Sequence, residues 1–260
     1  MAIQKLCKIS SIEKLNTDAV SIWLEAGELA QSAQVGQFVN IKCGEGLLLR
    51  RPISICRAEG TRLNVVFEVR GEGTAWLAQR TVGEELDVLG PLGHGFAYPD
   101  GKVLVVGGGI GVPPMLNTAQ KAPKGAIACL GFRGADKAML LDEFNACCEQ
   151  VYLASDDGTL GVRGFVASVV DTALSEHPEI QAVLACGPKI MLKTVYAAAQ
   201  KHNVPCQVSM EERMGCGIGA CLVCACENSK GEYKHVCKDG PVFNLSLIHI
   251  SEPTRQAEIS

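Results

Sequence analysis

From Lys102 onward the chain alternates short continuous apolar runs with helical patterns, and this alternation limits the fold more than any other feature. KVLVVGGG, AIACLGFR, VYLASDD and AVLACGP predict strands, the first of the continuous apolar kind buried on both faces. PPMLNTAQKA, ADKAMLLDEFNACC, GFVASVVDTAL and KIMLKTVYAAAQKH predict helices between and after them, and CQVSME predicts a last strand. Strand and helix at βαβ spacing imply a doubly wound parallel sheet.

The first part of the chain has a different texture. DAVSIWLEA, QFVNIKC, PISICRA and LNVVFEVR alternate or are rich in β-branched residues, and glycines at 36, 44, 46, 71, 73, 83 and 90 punctuate them. One helix is expected at GTAWLAQR, residues 73–80. Many short strands with one helix predict a closed antiparallel barrel. The fold class is therefore multidomain, β plus α/β. The expected units are a barrel at 1–99, a nucleotide-binding α/β domain at 100–208 and a small cysteine-rich segment at 209–244. That last segment is too short for a core of its own.

A formal net charge of −4 gives no reason to expect a nucleic-acid or anionic-membrane partner. The longest apolar stretch, VLVVGGGIGVPPML, is interrupted by glycine and proline, and MAIQKLCKIS lacks the apolar centre of a secretion signal. A cytoplasmic protein is expected. Thirteen cysteines in that compartment argue for metal binding by the clustered ones rather than a disulfide framework. Cys7, Cys43, Cys56, Cys129, Cys147, Cys148 and Cys206 read as small buried apolar residues.

Residues 214–226, MGCGIGACLVCAC, carry four cysteines and three glycines, and twelve residues separate Cys224 from Cys237. Cys216, Cys221, Cys224 and Cys237 have the spacing C-x4-C-x2-C-x12-C, that of plant-type [2Fe–2S] ligation. A tight loop supplies three thiolates and a distant residue closes the site. Gly215, Gly217 and Gly219 permit unusual dihedrals and bring N–H groups close to sulfur. A zinc site is the alternative, although zinc knuckles more often pair two C-x2-C units. Cys226 is left as a spare core or near-cluster thiol.

Gly107, Gly108, Gly109 and Gly111 follow a buried strand and precede a helix, where backbone N–H groups meet a pyrophosphate. Pro113 and Pro114 stand where a strict G-x-G-x-x-G would place its third glycine, so a simple tight turn stays open. Cys186, Gly187 and Pro188, at the end of another parallel strand, are candidates for the floor of the same crevice. SDDGTLG (155–161) either reaches a ribose or is a polar turn. In RRPISI, Arg50 or Arg51 can grip a phosphate and Ser54 can add a hydrogen bond. Gly71, Gly73 and Thr74 form a second possible anion site at a helix start.

Together these motifs resemble the ferredoxin–NAD(P) reductase superfamily. More closely, RRPISI, GEGT, GPLGHGF, GGGIGVPPM, DDGT, RGFV, ACGPKIM and EERMGCGIGACLVC follow the order of the electron-transfer subunits of NAD-dependent, class B dihydroorotate dehydrogenase. The resemblance implies FAD on the barrel. Arg51, Pro52, Ile53 and Ser54 would hold its ribityl–pyrophosphate region, Val66, Phe67 and Glu68 would line it, and Gly73 and Thr74 would bind phosphate. It further implies NAD at Gly107, Gly108, Gly109, Gly111, Cys186, Gly187 and Pro188, with Cys186 near the nicotinamide. Cys216, Cys221, Cys224 and Cys237 would ligate the cluster. Many relatives have Tyr-Arg at Phe67-Glu68 and glycine at Val223, which are departures here.

The implied activity is an electron relay in de novo pyrimidine biosynthesis, from an FMN-bearing catalytic subunit through [2Fe–2S] and FAD to NAD+. The implied assembly is a heterotetramer of two subunits of each kind, and the isolated chain is expected to show NADH diaphorase activity only. Two other readings are a relay for a ferredoxin–NADP reductase or sulfide dehydrogenase complex, and a non-enzymatic zinc module on a reductase-like fold. The superfamily's other relays often carry aspartate at one cluster position, where this chain has cysteine. LSLIHISEPTR at 245–255 is what a transposon-type sequencing adapter encodes when translated. Residues 245–260 are therefore expected to be non-native, and His249 is given no role.

Overall fold

The computed structural model describes residues 2–228 and 230–244, so the expected non-native tail lies outside the described residues. The barrel is built from β1 (Ile3–Lys14), β2 (Ala19–Glu25), the short α1 (Glu28–Gln31), β3 (Phe38–Ile41), β4 (Arg51–Glu59), β5 (Arg62–Glu68), α2 (Glu72–Ala78) and β6 (Glu85–Leu92). Its strands close in the order β1-β2-β5-β4-β3-β6, all antiparallel. Alternate residues fill the interior: Ile22 and Leu24, Val39 and Ile41, Ile53 and Ile55, Leu63, Val65 and Phe67, Leu86 and Val88.

Two barrel strands escaped the sequence pattern. In β1 only Cys7 and Ile9 are fully buried, and a register shift between Ile9 and Ser11 breaks the period of two. Strand β6 alternates cleanly, but its Gly90 read as punctuation; an added Cβ there would lie 2.7 Å from Val39, so the glycine admits a neighbouring strand.

The second unit comprises β7 (Lys102–Gly108), α3 (Val112–Gln120), β8 (Ala126–Phe132), α4 (Leu141–Cys147), β9 (Gln150–Ser155), β10 (Val162–Arg163), α5 (Val166–Glu176), β11 (Ile180–Cys186), α6 (Lys189–Lys201) and β12 (Cys206–Ser209). After it come β13 (Ala225–Glu227), β14 (Tyr233–His235) and β15 (Val242–Asn244). The sheet order is β10-β9-β8-β7-β11-β12-β15, parallel except for the antiparallel β12–β15 pair. The cysteine-rich segment thus ends as an edge strand of the nucleotide-domain sheet, and β13–β14 form a separate hairpin.

Val103 and Val105 face α3 and α4, while Leu104 and Val106 face α5 and α6, which is why β7 reads as continuously apolar. Helix α3 is buried from Val112 through Ala119 because it lies between this sheet and barrel strand β4. The long helix expected at ADKAMLLDEFNACC is instead a single 3-10 turn at Ala135–Lys137 followed by α4, with Leu140 at φ 60° breaking the run. Cys7, Cys43, Cys56, Cys129 and Cys206 are buried as expected. Cys147 and Cys148 are only half-buried, because α4 ends at the surface there.

Candidate electron-transfer site

The cysteine loop sits on the core shared by barrel and sheet. Cys224 and Cys237 are buried with Val236, Phe38 and Leu92, whereas Cys221 is exposed. Two pairs of thiols form. Cys224 Sγ lies 3.2 Å from Cys237 Sγ; the N–H of Cys216 points at Cys221 Sγ and that of Cys221 at Cys216 Sγ, each 3.4 Å away. Gly219 N–H donates to Cys237 Sγ at 3.1 Å, and Ile218 and Ala220 N–H donate to Cys216 Sγ at 3.4 and 3.2 Å. Gly217 (φ +76°) and Gly219 (φ +82°) hold the left-handed turns that aim these amides inward.

Burial raises the Cys216 thiol, but the amides of Ile218, Cys221 and Ala220 outweigh it and bring the thiol down to about 6. Burial, then the neighbouring Cys224, push Cys237 up to about 12. Among the described residues no set of three or more His, Cys, Asp or Glu side chains is arranged around a single metal ion. Four thiols in two pairs with inward amides suit a two-iron, sulfide-bridged cluster, whose net negative charge such donors stabilise. Cys226, on β13, is half-buried against the core that holds Cys224 and Cys237, its thiol raised by burial.

The flavin motif lies on the adjoining barrel wall. The β4–β5 ladder runs from Glu59–Arg62 to Ile55–Val65 and ends there, interrupted by a register shift between Ile55 and Arg57. Arg51–Ser54 pair only with β3 beyond that point, and Val66–Glu68 only with β2. Their facing backbone edges form a slot for a ligand that takes main-chain hydrogen bonds. Ile53 and Phe67 turn into the barrel and Val66 into the layer with α3, so those side chains are committed to packing. Glu68 pairs with Arg70 at 2.7 Å. Arg51 lies against Gly73, where an added Cβ would be 2.2 Å from Nε, so the motif arginine and the start of α2 converge. Thr74 Oγ1 accepts from Arg70 N–H at 2.9 Å and Gly71 N–H at 3.2 Å, and donates to the Gly71 carbonyl. That hydroxyl therefore builds the turn.

Arg50, which lines the cleft beside Arg51 and Pro52, is also a brace. It donates to the carbonyls of Asn40 (3.3 Å) and Asp87 (3.0 Å) and pairs with the Asp87 carboxylate at 2.8 Å, tying three strands together. A cleft of about 500 Å³ opens beside Arg51 and Pro52, with Glu212, Arg213 and Met214 of the approach to the cysteine loop on its other side. A larger cleft of about 630 Å³, between Gln31, Phe96 and Asn117, holds none of the residues expected to bind FAD, NAD or the cluster.

The nucleotide motifs meet at the switch point of the sheet. β7 lies between β8 and β11, and Gly107 pairs with Cys186. An added Cβ at Gly111 would lie 2.3 Å from the Cys186 carbonyl, and one at Gly108 2.2 Å from Met191 Sδ. These glycines let loop and strand end close on each other. Gly109 (φ +54°) has open space beside it. Pro113 and Pro114 occupy the first turn of α3, where a missing N–H costs nothing. Burial pushes the Cys186 thiol up to about 12, against a hydrogen bond from its Ser209 neighbour. In the 155–161 loop, Asp157 accepts from Thr159 N–H (2.9 Å) and Oγ1 (2.7 Å), and Thr159 Oγ1 accepts from Ala135 N–H at 2.8 Å. Asp157 is thus engaged within its own turn. Lys189, at the start of α6, pairs with Glu212 and links the nucleotide side to the cysteine loop. Neither that pair nor Asn40, which touches the cysteine loop from β3, stood out in the sequence. For Asn40 the available signal was one polar residue inside an otherwise apolar buried strand.

A barrel with a flavin-type slot, a doubly wound domain with a glycine switch point and a four-cysteine loop between them define a flavin and iron–sulfur reductase of the ferredoxin-reductase type. Residues 211–249 match the family model for the iron–sulfur cluster binding domain of dihydroorotate dehydrogenase B. Over 214 residues the chain is 44% identical to the dihydroorotate dehydrogenase B (NAD(+)) electron transfer subunit of Caldanaerobacter subterraneus subsp. tengcongensis, covering 80% of this chain and 84% of that one. The corresponding subunit of Bacillus mycoides is 42% identical, covering 85% and 90%. The chain belongs to this family of electron-transfer subunits. An NADH-dependent reduced ferredoxin–NADP oxidoreductase involved in flavin-based electron bifurcation superposes with a TM-score of 0.86 at 29% identity, covering 94% of this chain and 90% of that one. A ferredoxin reductase of carbazole 1,9a-dioxygenase shares the fold with a TM-score of 0.65 at 22% identity, covering 78% and 67%. No helix among the described residues is long and apolar enough to cross a membrane.

Proposed function

We propose that this chain passes electrons from an FMN-bearing dihydroorotate dehydrogenase catalytic subunit to NAD+, as the cytoplasmic relay of pyrimidine biosynthesis, in an assembly of two relay and two catalytic subunits. The observation that carries this reading is the four-thiol loop seated against the barrel wall that bears the flavin motif, in a chain of this family.

Cys216, Cys221, Cys224 and Cys237 hold the cluster, and the amides of Ile218, Gly219 and Ala220 orient toward its sulfurs. Bound FAD supplies the exchange between single electrons and the hydride pair that NAD+ accepts. Arg51 neutralises its pyrophosphate, Gly73 leaves room for that guanidinium, and the open edges at 52–54 and 66–68 take its polar groups. Gly107–Gly111 let NAD phosphates approach the backbone, and Cys186–Pro188 floor the nicotinamide site, with Cys186 a neutral thiol. Dihydroorotate itself is oxidised on the partner. Alone, the chain reduces dyes with NADH and leaves dihydroorotate untouched.

The test is anaerobic purification of the full chain, alone and mixed with a class B catalytic subunit. The visible spectrum, iron and acid-labile sulfide are measured, then dihydroorotate-dependent NAD+ reduction. Flavin with two irons and two sulfides per chain, and turnover only in the mixture, is the expected result. Flavin and cluster without that turnover points to another partner, and zinc without flavin overturns the reading.

A further inference from the structure

Asn40 is 1% exposed on β3, between the flavin slot and the cysteine loop. Its neighbours in the strand, Val39 and Ile41, fill the barrel, so Asn40 and Phe38 face outward. Their cross-strand partners on the same outer face are Pro52 and Ser54 of the flavin motif. On its other side, Asn40 Nδ2 lies 3.5 Å from the carbonyl of Cys216. Gly217 lies against the same amide: an added Cβ there would come 2.2 Å from Nδ2. The Asn40 main-chain carbonyl is held by Arg50, which is itself fixed to Asp87.

The amide is poorly explained by stability. Its Oδ1 is buried with no hydrogen-bond partner, and a buried unpaired acceptor costs free energy that an apolar side chain of similar size would not. What Asn40 does provide is a polar contact to the residue that carries one of the four thiols, and a flat surface that only glycine at 217 can approach. Gly217 in turn shapes the turn whose amides surround Cys216 Sγ. We propose that Asn40 is a positioning residue for electron transfer: it seats the cysteine loop on the flavin-bearing face of the barrel and so fixes the distance and orientation between the two cofactor sites. Electron tunnelling falls steeply with separation, so a small displacement of this loop has a large kinetic effect. The inference rests on the relay reading above.

The test compares wild type with Asn40→Leu and Asn40→Asp as full chains purified anaerobically. NADH-driven bleaching is followed separately at flavin and cluster wavelengths, with iron content and the electron paramagnetic resonance spectrum of the reduced cluster. Leucine keeps the volume and removes the contact; aspartate keeps the shape and removes the donor. The expected result is unchanged flavin content and unchanged reduction of flavin by NADH. Flavin-to-cluster transfer slows by about tenfold or more in both variants, and the resonance spectrum shifts. If Asn40→Leu is poorly folded, Asn40→Asp alone carries the comparison. Wild-type transfer rates and an unshifted spectrum in a folded variant overturn the proposal. Absence of flavin and iron from wild type would instead defeat the relay reading itself.

Discussion

The guanidinium of Arg51 fills the space that a β-carbon at Gly73 would need, with Nε only 2.2 Å from that position. A residue on β4 and one at the start of α2 are thereby brought together, and the proposed anion site on the barrel wall depends on the absence of one methyl group. Gly73→Ala should push Arg51 aside while leaving the barrel intact. Flavin affinity should fall by about tenfold, the scale of one charge-assisted contact, measured by flavin retention on dilution. Full retention would mean that Arg51 is not held by this contact.

Gly111 offers a harsher test, because its added β-carbon would strike backbone, 2.3 Å from the Cys186 carbonyl. Its own φ is an ordinary −77°, so the cost is steric. Gly111→Ala should destabilise the nucleotide domain by about 1–3 kcal/mol and slow reduction of the flavin by NADH. Thermal unfolding and rapid-mixing kinetics read the two effects. A variant with wild-type stability would contradict the close approach.

The five cysteines near the loop should separate cleanly. Alanine at Cys216, Cys221, Cys224 or Cys237 should abolish stable cluster binding while flavin remains. Cys226→Ala should keep about two irons per chain, since its side chain packs against the core from β13. Iron and sulfide analysis decides this. Loss of iron from the Cys226 variant would reassign the ligand set.

Cys186 provides a pH prediction. Its folded thiol is raised from 9.0 to about 12, chiefly by burial. A raised value favours the protonated form, so the associated stability is complete below pH 9.0 and is lost as pH rises toward about 12. The folded protein should therefore resist alkylation at Cys186 at about pH 8, while the exposed Cys221 of cluster-free chain reacts. Peptide mapping after iodoacetamide treatment gives the answer. Equal labelling would show that the Cys186 site is open.

What the sequence already carried was information local to a few residues. The C-x4-C-x2-C-x12-C spacing, the glycine loop after β7 and the strand–helix alternation from Lys102 each follow from chemistry or periodicity within one segment, and the fold agrees with them. Where a long-range contact competes with local preference, the pattern failed. Bulged β1 lost its period, Leu140 at φ 60° cut a helical run short, and Gly90 marked a close approach of Val39 within a strand rather than a turn.

The site divides along the same line. The four cysteines, the motif arginine and the glycines proposed for it stood out by type and spacing, and the structure brings the cysteines together at one loop and Arg51 against Gly73. Only the tertiary structure decided that Arg50 braces Asp87 while Arg51 meets Gly73, that β15 returns to the edge of the sheet, and that Asn40 touches the cysteine loop across 176 positions of sequence. Those choices depend on which faces of separate strands come together, and burial energy sums over residues far apart in the chain. A residue's chemistry is written in its own side chain; its partner is selected by the packing of everything between them.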